Sequence, residues 1–376
     1  MKFEINMINV KDGDSIILQL EKEEKKALIV IDGGYEEHYP KLKKRIEELL
    51  PSYNNKIDLI ICSHFDNDHL EGISYLLDDC NKNEIEIGEI WLHKIEGTLS
   101  KLIEGMDEKL KHQIDVVIPE KKRLWELSHF KTGFDLLDNY DNSKDQLVIE
   151  NYKFLMKLLQ KMIDYGLESK IKEVTRGYCL PDFEEFYVVS PTAEYYDSFL
   201  PKLKQEKLLN EVVQLTEENT LQEGQQEKSI GEKIFDIMSP CDRLMKKSTG
   251  VTPTNMVSIV TMLKTDDLKL LFTADSGIES YQSQDILDGE LYNLDWLQLP
   301  HHGSKNNTSK IMLDHFNPKI VFVSGEGVEN RPSTTIIKCL KTKDRFEKHY
   351  VTNEEENTWY LKIGNELKTE RVLINQ

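Results

Sequence analysis

Apolar and polar positions along the first ninety residues fall into short runs separated by tight turns. "KFEINMI" leads through "VKDGDS" to "IILQL", and the charged turn "EKEEKK" precedes "ALIVIDGG". Such runs of branched aliphatic residues bounded by Gly, Asp and Lys predict strands. "HYPKLKKRIEELLP" carries its apolar positions at helical spacing and stops before Pro51, which ends a helix because proline lacks the N–H. "KIDLIICSHFD" predicts a further strand, "HLEGISYLLDDC" a helix, and "EIEIGEIWLHK" a strand that ends at His93.

The pattern changes over 99–182, where charged helical periodicity dominates, as in "NYKFLMKLLQKMIDYGLESKIKEV". "FEEFYVVSP" at 183–191 again predicts a strand. Residues 192–250 are polar and read as a solvated helix or partly ordered insertion. Strand patterns return with "NMVSIVTML", "LKLLFTADSG", "LDWLQLP" and "PKIVFVSGE". The expected organisation is an α/β layered sandwich. Its core would comprise 1–98, 183–191 and 251–376, interrupted by a helical insertion at 99–182 and a polar one at 192–250.

Composition adds limits rather than a function. The chain has 376 residues, enough for a large core, and no apolar stretch long enough to span a membrane. Its start lacks the basic-then-apolar layout of a signal peptide, so a cytoplasmic protein is the expectation. Lys and Arg total 48 against 67 Asp and Glu, a net charge of −19, which opposes sequence-blind capture of duplex DNA. The five cysteines are scattered without a CxxC pair, so neither a disulfide framework nor a cysteine zinc site is expected. Cys62 is read as packing. His112, His129, His315 and His349 have no partners at ligand spacing and are read as surface or packing residues.

The chemistry concentrates in "ICSHFDNDHLEGI", residues 61–73. His64, Asp66, Asp68 and His69 follow a buried strand on one short loop, and imidazole and carboxylate are donors that zinc and manganese accept. That spacing can hand ligands to two metal ions.

H-x-D-x-D-H resembles the metallo-β-lactamase-fold motif H-x-H-x-D-H, in the variant of ComEC-type competence-protein metallo-hydrolase domains. "VKDGDSIILQL…ALIVIDGG" resembles the opening strands of that family. "NMVSIVTML…LLFTADSG" resembles its N-x-x-S strand and the strand ending in a bridging aspartate, and "LQLPHHGSKNNTS" its HHGS signature. The resemblance implies a metallo-β-lactamase αββα sandwich holding two divalent ions, zinc or manganese. His64, Asp66, Asp68 and His69 would ligate, and Asp275 would bridge. One of His301 and His302 would ligate while the other orients or protonates a substrate oxygen. The spacing does not choose between them; the working assignment gives His301 to the metal and His302 to catalysis. His93 is a further candidate ligand, with a structural strand-end role as the alternative. Asp66, a harder donor than His, makes manganese a rival to zinc. Arg331 stands where relatives carry His and suits phosphate, or is a surface residue at a helix start. Gly303 and Ser304 could supply N–H donors to an oxyanion, or merely allow a tight turn.

The implied activity is hydrolysis by a metal-bound hydroxide, with Asp68 and Asp275 holding it and taking its proton. A nucleotide or single-stranded nucleic acid is the leading substrate. A lactam or thioester hydrolase, and a metal-binding interaction module with little turnover, are the alternatives. The insertion at 99–182 is expected to cap the cleft, or else to bind a protein partner; no membrane partner is expected.

Overall fold

The computed structural model describes residues 1–11, 13–93, 154–155, 157–199, 239–244, 248, 251–281, 291–325, 331–342, 348–351 and 358–373. Strands β1 (Lys2–Ile8), β2 (Ile16–Lys22), β3 (Lys25–Ile31), β4 (Lys56–Ile61), β5 (Glu86–Trp91) and β6 (Ile171–Lys172) form one sheet. Its far edge is closed by strands from the chain end, β14 (Thr358–Gly364) and β15 (Thr369–Leu373), giving the order β15-β14-β1-β2-β3-β4-β5-β6. A second sheet has the order β13-β12-β11-β10-β9-β8-β7. Its strands are β7 (Cys179–Leu180), β8 (Phe183–Ser190), β9 (Val260–Lys264), β10 (Lys269–Phe272), β11 (Trp296–Gln298), β12 (Ile320–Val323) and β13 (Lys348–Val351).

Alternation along the strands explains the layering. On β2, Ile16, Leu18 and Leu20 enter the layer shared with Phe272, Trp296 and Phe322 of the second sheet. Ile17 points the other way, into the layer under the helices α1 (Tyr39–Leu49) and α2 (Asn67–Lys82). On β10, Leu270 and Phe272 face the first sheet, while Leu271 faces outward with Met312, Leu313 and Phe316 of the helix Lys310–Phe316. Strands buried on both faces read as continuous apolar runs, and the result is four layers: helices, sheet, sheet, helices.

Three features depart from the sequence expectations. Core structure resumes before residue 182: Leu155, Leu158, Leu159 and Met162 pack into the layer beneath α2. Lys161 ties the helical stretch 157–164 to α2 through Ser74 Oγ at 2.7 Å and Asp78 Oδ2 at 2.8 Å. The apolar stripe of this part of the insertion therefore covers a sheet face; the stretch 94–153 lies outside the described residues, and the expected cap with it. The chain end, expected with the second half of the core, returns to the first sheet, where Ile363 pairs with Ile5. Finally, Cys241 and Cys339 form a disulfide with their Cα atoms 4.7 Å apart, a correction to the reading of the cysteines. Their separation of 98 residues left no spacing signal; tertiary packing alone brings Pro240–Arg243 to the helix Thr334–Thr342. Among the described residues no helix is long and apolar enough to cross a membrane.

Candidate metal centre

The candidate residues gather where strand ends meet. β3 delivers Asp32, β4 delivers Ser63 and His64, β10 delivers Asp275, β11 delivers His301 and His302, and β12 delivers Ser324. β3 and β4 run parallel, as do β10, β11 and β12, so these are carboxyl ends of parallel strands. That edge is where open α/β sheets bind ligands. α2 starts inside the motif: Asp66 is still extended (φ −78°, ψ 148°), and Asp68 and His69 lie on the first turn. The loop around Asp32 is locked to that turn by Gly33 N donating to His69 O and Gly72 N to Gly34 O, both 2.8 Å. The approach needs glycine, because a Cβ on Gly72 would lie 2.0 Å from Gly33 O.

Asp275 divides the donors into two sets. Its Oδ1 faces His69 Nε2 at 3.4 Å and His302 Nε2 at 3.6 Å, and Asp68 Oδ2 lies 3.7 and 3.2 Å from the same nitrogens. Its Oδ2 faces His64 Nε2 at 3.7 Å, which is 3.5 Å from Asp66 Oδ2. Ligands at about 2.0–2.2 Å from a tetrahedral ion are separated by about 3.3–3.6 Å, close to the 3.2–3.7 Å found across the two sets.

The orientation of each ring follows from counting donors. Ser63 gives its hydroxyl proton to Asp32 Oδ2 (2.5 Å), so its oxygen accepts from His64 Nδ1–H at 3.1 Å. His69 Nδ1–H donates to Asp32 Oδ2 at 2.8 Å. Asn307 spends both amide protons on the carbonyls of Asp275 and Ser276, so its Oδ1 accepts from His301 Nδ1–H at 3.0 Å. Ser324 donates to Asp14, and its oxygen accepts from His302 Nδ1–H at 3.2 Å. Every Nδ1 proton is thus held outward and every Nε2 is aimed at carboxylate oxygens, as metal-ligating imidazoles are. His64 Nε2, His69 Nε2 and Asp275 Oδ1 are buried without a hydrogen-bond partner among the described residues. Acceptors facing acceptors in a dry site fit divalent cations.

The electrostatics show the same demand. Burial alone would raise the pKa of Asp275, yet His301, His302 and His69 hold it far below the ordinary carboxylate value. Asp68 is likewise lowered against burial by His69 and His302. Burial disfavours the charged form of His302, but Asp275 and Asp68 lift it to about 9, and His69 is raised by Asp275, Asp68 and Asp32 against the same burial. The carboxylates draw positive charge wherever it can be found. The backbone is strained to reach this arrangement: Asp32, Ala274, His301 and His302 all have left-handed φ, between 46° and 56°, at a cost of roughly 1 kcal/mol or more each.

Of the residues singled out in the sequence, His64, Asp66, Asp68, His69, Asp275 and His302 fall into the two donor sets. The structure treats the two histidines of the pair differently. Consecutive left-handed residues turn His302 inward among the donors, while His301, 13% exposed, stays at the rim with Nε2 3.4 Å from Asp275 Oδ2. Burial and the charge of Arg331 lower its pKa to about 4, so it is neutral. His93 is buried elsewhere: its Nε2 lies 3.2 Å from Val174 O and its ring packs on Tyr196, outside the donor groups found among the described residues. Arg331 lies close enough for its charge to act on His301, and Ser333 N donates to Gly303 O (3.0 Å), seating its loop against the histidine turn. Sequence reading missed Asp14, Asp32, Ser63, Gln298, Asn307 and Ser324, which hold the ligands from behind. "GDS" and "DGG" were legible only as turns. Asn255, of the N-x-x-S strand, donates to Asp275 Oδ2 at 3.3 Å.

Residues 10–129 match the metallo-beta-lactamase superfamily. No curated protein matches the chain. Among solved structures, the metallo-beta-lactamase fold protein YhfI from Bacillus subtilis aligns at 11% identity and TM-score 0.38, over 93% of this chain and 96% of that one. AidC, a dizinc quorum-quenching lactonase, aligns at 14% identity and TM-score 0.33, over 96% and 80%. A long form RNase Z from yeast aligns at 10% identity and TM-score 0.35, over 85% of this chain and 36% of that one. The chain has the metallo-β-lactamase fold, with two sheets between helices, and the superfamily match lies over its first sheet and α2.

Proposed function

We propose that this protein is a metal-dependent phosphodiesterase or nuclease of the ComEC-like branch, acting on a nucleotide or a single strand at a binuclear centre. The observation that carries the metal-dependent reading is the convergence of outward-tied imidazoles on Asp66, Asp68 and Asp275. Asp68 Oδ2, His69 Nε2, Asp275 Oδ1 and His302 Nε2 would hold one ion, and His64 Nε2, Asp66 Oδ2 and Asp275 Oδ2 the other. Two bound ions supply Lewis acidity and a water of lowered pKa. The chain's own groups do the rest: Asp68 and Asp275 accept the proton of the attacking water, and neutral His301 at the rim accepts or relays a proton beside the substrate. Arg331, whose charge reaches His301, offers a fork to a phosphate oxygen.

The phosphodiester reading rests on the Asp66 variant of the motif and on Arg331. A net charge of −19 favours a small or single-stranded substrate over duplex. The test is a substrate panel with zinc- and with manganese-loaded protein: a chromogenic phosphodiester, a cyclic dinucleotide, a short single strand, a lactone and a lactam. Turnover of the phosphodiesters is expected. Hydrolysis of the lactone or lactam alone would overturn the substrate class, and no turnover of any member would favour a binding module.

A further inference from the structure

Asp14, in the turn before β2, is buried behind the donor sets and touches no donor atom directly. Its carboxylate accepts from Gln298 Nε2 at 2.7 Å and from Ser324 Oγ. Gln298 has its own direction fixed, since its Oε1 accepts from Thr273 N at 3.3 Å, so its amide N–H must face Asp14. Ser324 Oγ then has only a lone pair to offer His302 Nδ1 at 3.2 Å. Asp14 itself is 3.9 Å from that nitrogen, too far for a direct bond.

We propose that Asp14 is a positioning residue that acts through Ser324 to keep the ring proton of His302 on Nδ1, leaving Nε2 to ligate the ion shared with Asp68, His69 and Asp275. The inference rests on the binuclear reading above. It differs from what Asp32 does for His69, because the carboxylate works here through a hydroxyl that can point either way. A hydroxyl between two partners donates to one and accepts from the other. The charged acceptor at Asp14 decides which.

Asp14→Asn tests this at constant shape. Gln298 still presents N–H, so the asparagine must turn its oxygen to Gln298 and its amide protons to Ser324. Ser324 then donates to His302 Nδ1, so the neutral ring, the form that ligates, would carry its proton on Nε2, the atom that faces the metal. Ser324→Ala removes the acceptor without imposing the wrong tautomer. Zinc is titrated into the metal-stripped full chain by calorimetry, with thermal unfolding as the folding control. Asp14→Asn is expected to weaken the zinc held by Asp68, His69, Asp275 and His302 about 10–100-fold and to leave the other unchanged. Ser324→Ala should weaken it less. The double variant should match Ser324→Ala and so bind better than Asp14→Asn, since without the hydroxyl the reversed polarity cannot reach the ring. A merely structural role gives additive losses instead. In zinc-loaded, histidine-labelled wild type, NMR should show His302 protonated at Nδ1.

Two zinc ions in Asp14→Asn at wild-type affinity would overturn the proposal, as would a double variant weaker than Asp14→Asn. Wild type that binds fewer than two ions would overturn the binuclear reading first, and this inference with it.

Discussion

The two donor sets on either side of Asp275 share a bridging carboxylate and little else. The set on Oδ1 brings four ligand atoms mutually close, and its histidines are backed by Asp32 directly and by Asp14 through Ser324. The set on Oδ2 has three mutually close donors, one of them Asp66 with a side chain 23% exposed, and His301 waits at its rim. A closed donor set favours a firmly held ion, and an open one leaves a position for water or substrate. With ions bound as proposed, the asymmetry would give firm holding to the Asp68/His69 side and exchange to the Asp66 side.

The largest effect should come from the residue common to both sets. Asp275→Ala is expected to remove both ions and lower turnover at least about 1,000-fold, several kcal/mol of transition-state stabilisation. Metal content by elemental analysis, with circular dichroism for the fold, checks it; retention of either ion would show that the bridge is not shared.

Asp32→Asn comes next. Asp32 accepts from Ser63 N, Ser63 Oγ and His69 Nδ1, so it serves one ligand of each set. Affinity for both ions should fall about 10–100-fold, with about 1–3 kcal/mol lost in metal-free stability from unsatisfied buried groups. A loss confined to one ion would mean that Ser63 does not orient His64.

The pH dependence should separate the sets. In the metal-free protein His302 is raised to about 9, so below that pH an ion must displace its proton, and His69 adds to this. The set on Oδ2 offers a single imidazole, His64, where the other offers two. Binding to the Asp68/His69 set should strengthen by about tenfold or more per unit between pH 7 and 9, with a flatter profile for the other set. The linked stability of the metal-free fold runs the opposite way. The protonated His302 stabilises the metal-free fold below the unfolded histidine value, and that contribution disappears as pH rises through about 9. Calorimetry in buffers of different ionisation enthalpy counts the protons; equal release from both sets would erase the distinction.

The smallest effect is reserved for the rim. Arg331→Ala should raise KM for a phosphodiester about tenfold, within the range for one hydrogen bond to a charged group, and leave metal content unchanged. It should also allow His301 to take a proton more readily, because a neighbouring positive charge is gone. A change in metal affinity instead would move Arg331 into the holding machinery.

Local pattern was enough to determine the strands around β1 to β5 and β8 to β12, and to single out His64, Asp66, Asp68 and His69 as candidate donors; Asp275 came from the family resemblance. Strand periodicity and ligand spacing are short-range properties, written in a few consecutive residues. Longer-range features were decided only by tertiary structure. The return of β14 to β1 and the Cys241–Cys339 bridge join segments that share no local signal. The different placement of His301 and His302 depends on two left-handed residues in a row, which the sequence "HHG" does not announce. Asp14, 310 residues from Ser324, could be recognised as a partner of the centre only once two strand ends had been brought to the same edge. A hydrogen bond has direction as well as partners, and direction is settled by the whole network rather than by any one residue in it.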